Sequence, residues 1–316
     1  MKKGYLYILM TTLLFSTMEI ALKTVANQFN PIQLTFIRFL IGAIILIPLA
    51  QRSLKAKGIS LNWDDYKFFL LTGFICVVVS MTFYQLSIVY CKASIVAILF
   101  SCNPVFVVPL AYYLLNEKFD KFTILSMIIS IGGMVFILDP FHAAGNGSAR
   151  GILFAILAAI TFALYGVMGK KRSNKYGGIV LTCYSFLMGC FEMFILILLS
   201  RIGFVSAFLT SSGLTAFASI PIIHGIAVQN LVSLFYISVF VTGLGYAFYL
   251  LAMEETSAIT ASVVFFIKPA LAPVLAFLIL HESIAPNTMI GMILIIAGSC
   301  ITFLSNRRGK PEPVEQ

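Results

Sequence analysis

Five ionisable side chains lie inside long apolar stretches of this sequence, where a charge is costly. They are Glu19, Lys23, Arg38, Glu192 and Lys268. Near the centre of a membrane-spanning helix such a residue costs about 2.5–3.5 kcal/mol on the insertion scale, so each needs a cavity or a partner. Residues of this kind mark substrate paths, proton relays or structural ion pairs.

Lys268 carries the most specific prediction because it directly precedes Pro269 near the centre of its apolar run. A cation held at that depth can bind the carboxylate of a substrate, or it can release its proton on burial and so carry one. The structural alternative is an ion pair, for example with Glu192. We take Lys268 as a candidate residue of a substrate path.

Glu19 and Lys23 are four residues apart, which places them on one face of a helix and lets them pair. Lys23 also lies near a helix end, where its side chain can extend to the membrane surface. Arg38 lies near the middle of the second apolar run, and it belongs either to a substrate path or to an ion pair with Glu19. All three are candidate site residues.

These side chains need a scaffold, and the composition predicts helices in a lipid bilayer. Of 316 residues, 60% are hydrophobic and 10% are charged, and the mean hydropathy is +1.01. A soluble domain carries roughly 25% charged residues. A spanning helix needs about 20 mostly apolar residues. Ten stretches qualify: 4–25, 31–50, 68–90, 93–115, 121–138, 149–169, 177–200, 229–251, 258–280 and 286–304.

The distribution of Lys and Arg predicts the orientation of these spans. With a cytoplasmic N-terminus, fifteen of these cations fall in cytoplasmic segments, and only Lys92, Arg150 and Arg201 fall on the opposite side. The positive-inside rule therefore places both termini in the cytoplasm. The uncharged segment 202–228 is interrupted by Pro221. Counting it as an eleventh span would move the C-terminal cations outside, so we predict an outer connection there.

A sequence repeat relates the two halves of the chain. A shift of 165 residues aligns Phe83-Tyr84 with Phe248-Tyr249, Ala93 with Ala258, Phe100 with Phe265, Pro104 with Pro269, Glu117 with Glu282 and Gly133 with Gly298. At a smaller shift, Gly4 matches Gly151, Phe15 matches Phe162 and Lys23 matches Lys170. Five spans per half is an odd number, so the second half would enter the membrane upside down, as in many secondary transporters.

We therefore predict an all-α integral membrane protein of ten transmembrane helices, built as two inverted five-helix repeats. The first repeat covers 1–140, the second covers 141–305, and a short polar cytoplasmic tail covers 306–316.

The repeat aligns Asn103-Pro104 with Lys268-Pro269, near the centres of the fourth spans of the two halves. A proline inside a helix removes one hydrogen bond and crowds the carbonyl four residues back. Breaks at matching positions of two halves indicate a transporter's substrate site, although a kink for packing is the structural alternative. We add Asn103, Pro104 and Pro269 to the candidates, and the polar repeat mates Tyr84 and Tyr249.

Other kinds of chemistry find little support in the sequence. The three histidines fall in connections or at a helix end without an H-E-x-x-H motif, so no catalytic residue is predicted. The six cysteines show no C-x-x-C spacing, so we predict neither a metal site nor a disulfide, and no cofactor. The net charge of +9 follows membrane topology rather than a nucleic-acid surface. A nucleotide-binding G-x-x-x-x-G-K-[ST] loop is absent.

The order and duplication of these motifs resemble the drug/metabolite transporter superfamily, specifically its EamA-type two-repeat members. The resemblance covers about 5–137 and 151–304. It rests on Leu14-Phe15 followed by Lys23, on Pro31 with Phe36-x-Arg38-Phe39, and on a Pro-containing helix, a Glu and a Gly-rich helix in each half. Ser16 stands where the family often has a Trp.

The resemblance implies a central cavity between the halves and secondary transport by alternating access. The expected substrates are small metabolites such as amino acids, exported or exchanged across the plasma membrane of a bacterium. The alternatives are a flippase-like transporter of a lipid-linked sugar and a multidrug or organic-cation efflux protein. The expected partners are a small-molecule solute and the lipid bilayer, with no nucleic acid; the oligomeric state is left open.

Overall fold

The computed structural model describes residues 2–117, 121–138, 148–262 and 264–308, which form helices joined by short connections, with no strand among them. The α-helices are α1 Lys2–Ser16, α2 Met18–Val25, α3 Pro31–Lys57, α4 Trp63–Gly73, α5 Met81–Tyr90, α6 Ala93–Phe100, α7 Asn103–Leu115, α8 Lys121–Leu138, α9 Ala149–Tyr176, α10 Gly178–Ser200, α11 Gly203–Ser211, α12 Val228–Phe235, α13 Gly245–Glu255, α14 Ala258–Ala261, α15 Val264–Leu280 and α16 Pro286–Arg308. π-Helical segments join α4 to α5 (Phe74–Ser80) and α12 to α13 (Tyr236–Leu244).

Seven helical stretches in the described chain are long and apolar enough to cross a membrane. They are Lys3–Val25, Pro31–Lys57, Trp63–Tyr90, Ala93–Leu115, Ala149–Tyr176, Gly178–Ser200 and Val228–Glu255. Shorter apolar helices cover Ile124–Gly133, Leu271–Leu280 and Pro286–Gly298. The protein is therefore an all-helical, multi-pass membrane protein.

The segment 202–228 contains only the nine-residue helix α11 and the 3₁₀ turn Thr215–Phe217. Both are far shorter than the roughly 20 residues that a span requires. The predicted boundary at 140/141 lies outside the described residues. Of the predicted tail 306–316, residues 306–308 belong to α16 and residues 309–316 lie outside the described part of the chain.

Local sequence explains where the helices begin and end. Asn30 caps α3 by accepting hydrogen bonds from the backbone of Ile32 and Gln33, with Pro31 in the first turn. Proline suits this position because its missing N–H would have no partner in the helix. The helix ends at Gly58, whose φ of 62° is the left-handed conformation that glycine adopts at little cost.

The first helix of each half packs against the third helical stretch of the other half. Gly4 of α1 lies against Thr256 just after α13, where an added Cβ would be 2.7 Å from Thr256 Cγ2. Gly151 of α9 lies against Cys91 just after α5, where an added Cβ would be 2.5 Å from the sulfur. Gly4 and Gly151 are repeat mates, and so are Cys91 and Thr256. The two contacts are thus equivalent in the sequence repeat.

Two lysines lie towards the opposite ends of these first helices, Lys23 in the α1–α2 stretch and Lys170 in α9. Each contacts the third helical stretch of its own half. The ammonium of Lys23 donates to the carbonyls of Ile88 at 2.6 Å and Cys91 at 2.9 Å. That of Lys170 donates to Met253 at 2.5 Å and Thr256 at 3.1 Å. One end of α1–α2 therefore lies beside the C-terminus of α13, and its other end lies beside the C-terminus of α5.

The second helix of each half also approaches the third helical stretch of the other half closely. A Cβ added to Gly42 of α3 would lie 3.1 Å from the nitrogen of Gly243, in the second π-helical segment. A Cβ added to Gly189 of α10 would lie 2.6 Å from the carbonyl of Gly73 at the end of α4. Small residues allow helices in lipid to approach this closely. Gly42 and Gly189 are also repeat mates, because they are separated by the same number of residues as Gly4 and Gly151.

Candidate substrate site

The centre of the helix bundle holds an ion pair between Glu19 of α2 and Lys268 of α15. The Lys268 nitrogen lies 2.5 Å from Glu19 Oε1, and both side chains have no exposed surface. The sequence suggested Glu192 as a partner for Lys268, and Lys23 or Arg38 as partners for Glu19. The fold instead joins two residues that are far apart in the chain.

Aromatic rings surround this ion pair. The Lys268 ammonium lies 4.9 Å from the ring centre of Phe100, 5.9 Å from that of Tyr84 and 6.0 Å from that of Phe265. Ring faces carry negative charge density, so they stabilise a desolvated cation by about 2 kcal/mol.

Repeat mates touch one another in this aromatic core. Ring centres are 6.4 Å apart for Phe15 and Phe162, 5.8 Å for Phe100 and Phe265, and 4.5 Å for Phe39 and Phe186. One member of each pair belongs to each half of the chain. The ion pair therefore lies at the interface between the halves. Sequence reasoning did not select these rings as site residues, although the repeat had already aligned two of the three pairs.

Tyr84 and Tyr249 are both fully buried in this core. The ring of Tyr84 lies 4.8 Å from that of Phe100, and the ring of Tyr249 lies 5.3 Å from that of Phe162. The Tyr249 hydroxyl has no hydrogen-bond partner among the described residues, and neither do the amide atoms of Gln85. These groups remain able to bond a ligand.

The two proline positions differ in the structure. Helix α6 ends at Phe100 and α7 begins at Asn103, with Pro104 in its first turn, so the break directly precedes Asn103-Pro104. In the second half, Pro269 lies inside α15 rather than at a break. In this half the helix is interrupted earlier, after the single turn α14. Ser257 caps the start of α14 by accepting a hydrogen bond from the Thr260 nitrogen.

Asn103 donates from its side-chain nitrogen to the carbonyl of Ala159 at 3.0 Å, which joins the break to α9. Its side-chain oxygen has no partner among the described residues. A buried amide oxygen without a donor costs free energy, so it can accept a hydrogen bond from a ligand.

Arg38 is fully buried but does not lie against Glu19. Its Nη1 lies 3.5 Å from the hydroxyl of Thr242, and its guanidinium carbon lies 4.6 Å from the ring centre of Phe39. The Phe39 ring centre lies 5.4 Å from that of Tyr246, which lies 5.1 Å from that of Phe15. Aromatic rings therefore connect the guanidinium to the core around the central ion pair.

Lys23 lies away from this centre, at the helix ends described above. Burial raises the pKa of the neighbouring Cys91 thiol to about 11, so that thiol is neutral at physiological pH. Lys23 is therefore held by backbone carbonyls at this point. No group of His, Cys, Asp and Glu in the described part of the chain could hold a metal ion.

Comparison with known proteins decides the family. The family model described as the EamA-like transporter family matches residues 2–139 and 149–304. The chain belongs to the EamA-like transporter family. A protein of Clostridium kluyveri named an uncharacterized transporter is 43% identical over 98% of this chain and 95% of its own length.

More distant EamA-like relatives also align over nearly the whole chain. The uncharacterized transporter YoaV of Bacillus subtilis is 23% identical over 98% of this chain and 99% of its own length. Protein PagO of Salmonella typhimurium is 22% identical over 94% and 91%. A solved crystal structure superposes with a TM-score of 0.68 at 15% identity, covering 98% of this chain and 99% of that one. This EamA-like protein is a transporter of a small-molecule solute, not an enzyme.

Proposed function

We propose that this protein is a secondary transporter that exports or exchanges small metabolites such as amino acids by alternating access. The observation that carries the proposal is the Glu19–Lys268 ion pair, enclosed by aromatic rings at the interface between the two halves. A carboxylate and an ammonium side by side match the two charges of an amino acid. Because both side chains are fully buried, the bundle must open at one end for a solute to reach them.

The scaffold we propose is ten spans in two inverted repeats, 1–140 and 141–305, with both termini in the cytoplasm of a bacterial cell. The packing of α1–α2 supports inversion. Its two ends lie beside the C-termini of α13 and α5, which are repeat mates. Those C-termini would therefore face opposite sides of the membrane.

Labelling of single cysteines in intact cells tests this arrangement. Gly58→Cys and Lys171→Cys should be protected from an impermeant thiol reagent, whereas Asn27→Cys and Arg201→Cys should react. The four positions are exposed in the structure. Reaction of Gly58→Cys and Lys171→Cys from opposite sides would exclude inversion.

Transport itself is tested with purified protein in liposomes and a panel of labelled amino acids, organic cations and sugars. We expect saturable flux of at least one amino acid, which Lys268→Ala abolishes. The matched control is Lys171→Ala, on an exposed side chain. Folded protein that moves none of the panel would contradict the proposal, and flux of organic cations alone would favour the multidrug alternative.

Proton coupling through Glu19 or Lys268 is a further part of the proposal, because no nucleotide-binding loop supplies energy. A pH-sensitive dye inside the liposomes should report acidification or alkalinisation that tracks solute flux. Solute flux at a constant internal pH would contradict proton coupling.

A further inference from the structure

The buried charges at the centre of the bundle do not balance. Four charged side chains in the described chain have almost no exposed surface: Glu19, Arg38, Asp65 and Lys268. Asp65 lies apart at the start of α4, where it bonds Lys175 and Tyr176. The other three are two cations and one carboxylate, so the centre has an excess of one positive charge.

Arg38 is the cation without a counter-charge. Arg38 donates one long hydrogen bond, from Nη1 to the hydroxyl of Thr242, and its Nε and Nη2 have no hydrogen-bond partner among the described residues. A guanidinium stays protonated in proteins, and its adjacent N–H groups match the two oxygens of a carboxylate. Leaving a buried charge unpaired is costly, so the Arg38 guanidinium favours a bound anion.

A helix N-terminus adds positive potential near the Lys268 end of this centre. The Lys268 ammonium lies over the Phe100 ring, which is the last residue before the break, and α7 begins three residues later. The N-terminus of a helix carries a partial positive charge. The hydrogen-bonding groups left unused nearby include the amide of Gln85.

The charges are additions to a repeated scaffold rather than parts of it. At the repeat positions of Glu19, Arg38 and Lys268 the other half has Gly166, Ser185 and Asn103. The aromatic pairs, in contrast, are present in both halves.

We infer that the transported solute carries a net negative charge, with a carboxylate on the Arg38 guanidinium and an apolar body against the aromatic rings. The inference rests on the proposed transport function and narrows its substrate class to organic anions, including acidic amino acids. Glu19 and Lys268 neutralise each other, so they add no net preference. Arg38 therefore determines that the ligand carries a net negative charge.

The test measures binding by thermal shift on the purified full chain, with two sets of compounds matched in skeleton. The aromatic set is 3-phenylpropionate, L-phenylalanine and 2-phenylethylamine, with charges of −1, 0 and +1. The aliphatic set is glutarate, glutamine and cadaverine, which share a five-carbon chain and have net charges of −2, 0 and +2. We expect an anion to bind best in at least one set, about tenfold more tightly than its zwitterionic mate, which corresponds to about 1.4 kcal/mol. Tightest binding of the zwitterionic or cationic compounds in both sets, or no binding of either anion, would overturn the inference.

Variants then assign the preference to Arg38. Arg38→Met should abolish it without lowering the melting temperature of the empty protein, because an unpaired buried charge is lost. Arg38→Lys should keep the order of binding at reduced affinity. Arg52→Met, on an exposed side chain of the same helix, should change nothing. A preference that survives Arg38→Met would overturn the assignment, and the wild-type series decides the ligand charge even if this variant does not fold.

Liposome flux separates the two proposals. Anion binding without flux of any solute would contradict transport alone. Flux of organic cations, with no binding of either anion, would contradict the anion inference alone.

Discussion

Glu117 and Glu282 hold the same position in the sequence repeat, and each carboxylate caps a helix of the other half. Glu282 accepts hydrogen bonds from the backbone of Ala93 at 2.8 Å and Ser94 at 3.1 Å, at the start of α6. Glu117 accepts them from Ala258 at 3.0 Å and Ile259 at 3.3 Å, at the start of α14. The same type of contact, a carboxylate that caps a helix of the other half, therefore joins the two halves at both places.

We expect these caps to contribute independently to stability, with Glu282 contributing somewhat more because it also accepts a hydrogen bond from the Ser94 hydroxyl at 2.8 Å. Glu117→Ala or Glu282→Ala leaves two backbone N–H groups without an acceptor, which should lower the free energy of unfolding by about 0.5–2 kcal/mol each. Because the caps are well separated, the double variant should lose the sum. Unfolding in mixed micelles measures this, with the exposed Glu255→Ala as control. Strong non-additivity would show that the two ends are coupled.

A double-mutant cycle tests the ion pair between Glu19 and Lys268. Lys268→Met or Glu19→Gln alone leaves a buried charge unpaired and should cost about 3–5 kcal/mol of unfolding free energy. The combined variant should recover most of that loss, because neither charge remains. Transport should be lost in all three. A double variant that is as unstable as the sum of the singles would show that Glu19 and Lys268 do not interact.

Gly189 tests the close packing of α10 on α4. An added side chain would meet the Gly73 carbonyl and the Val77 side chain, so Gly189→Val should cost about 1–3 kcal/mol through overpacking. Gly132→Val is the matched control, because an added Cβ there meets nothing within 4 Å. Melting temperatures of the two purified variants should differ clearly, and equal values would count against the close approach.

Lys23 and Lys170 should behave as equivalent structural residues. Each donates to carbonyls at the end of a third helical stretch, so Lys23→Met and Lys170→Met should lower stability by similar amounts, about 1–2 kcal/mol. The control is Lys171→Met, on a neighbouring exposed side chain. Substrate affinity should stay at the wild-type value. Loss of affinity with unchanged stability would instead place Lys23 in the substrate path.

The membrane class and the helical fold could be read from the sequence because they depend on local properties. Long apolar runs without charges leave an α-helix as the structure that satisfies the backbone in lipid. The repeat was equally visible, since it requires only a comparison of the chain with itself. The same comparison aligned Glu117 with Glu282 and Ala93 with Ala258, but it did not show that each glutamate caps the helix of the other half.

The sequence also indicated that Glu19, Arg38 and Lys268 lie in the interior, because they stand in apolar runs, whereas the burial of Asp65 follows only from the fold. Only the tertiary structure decided their partners. Pairing depends on how each helix is rotated and which helix lies beside it, and those contacts join residues far apart in the chain. Lys268 therefore meets Glu19 rather than Glu192, Arg38 meets Thr242, and Pro269 lies inside a helix whose interruption comes a few residues earlier.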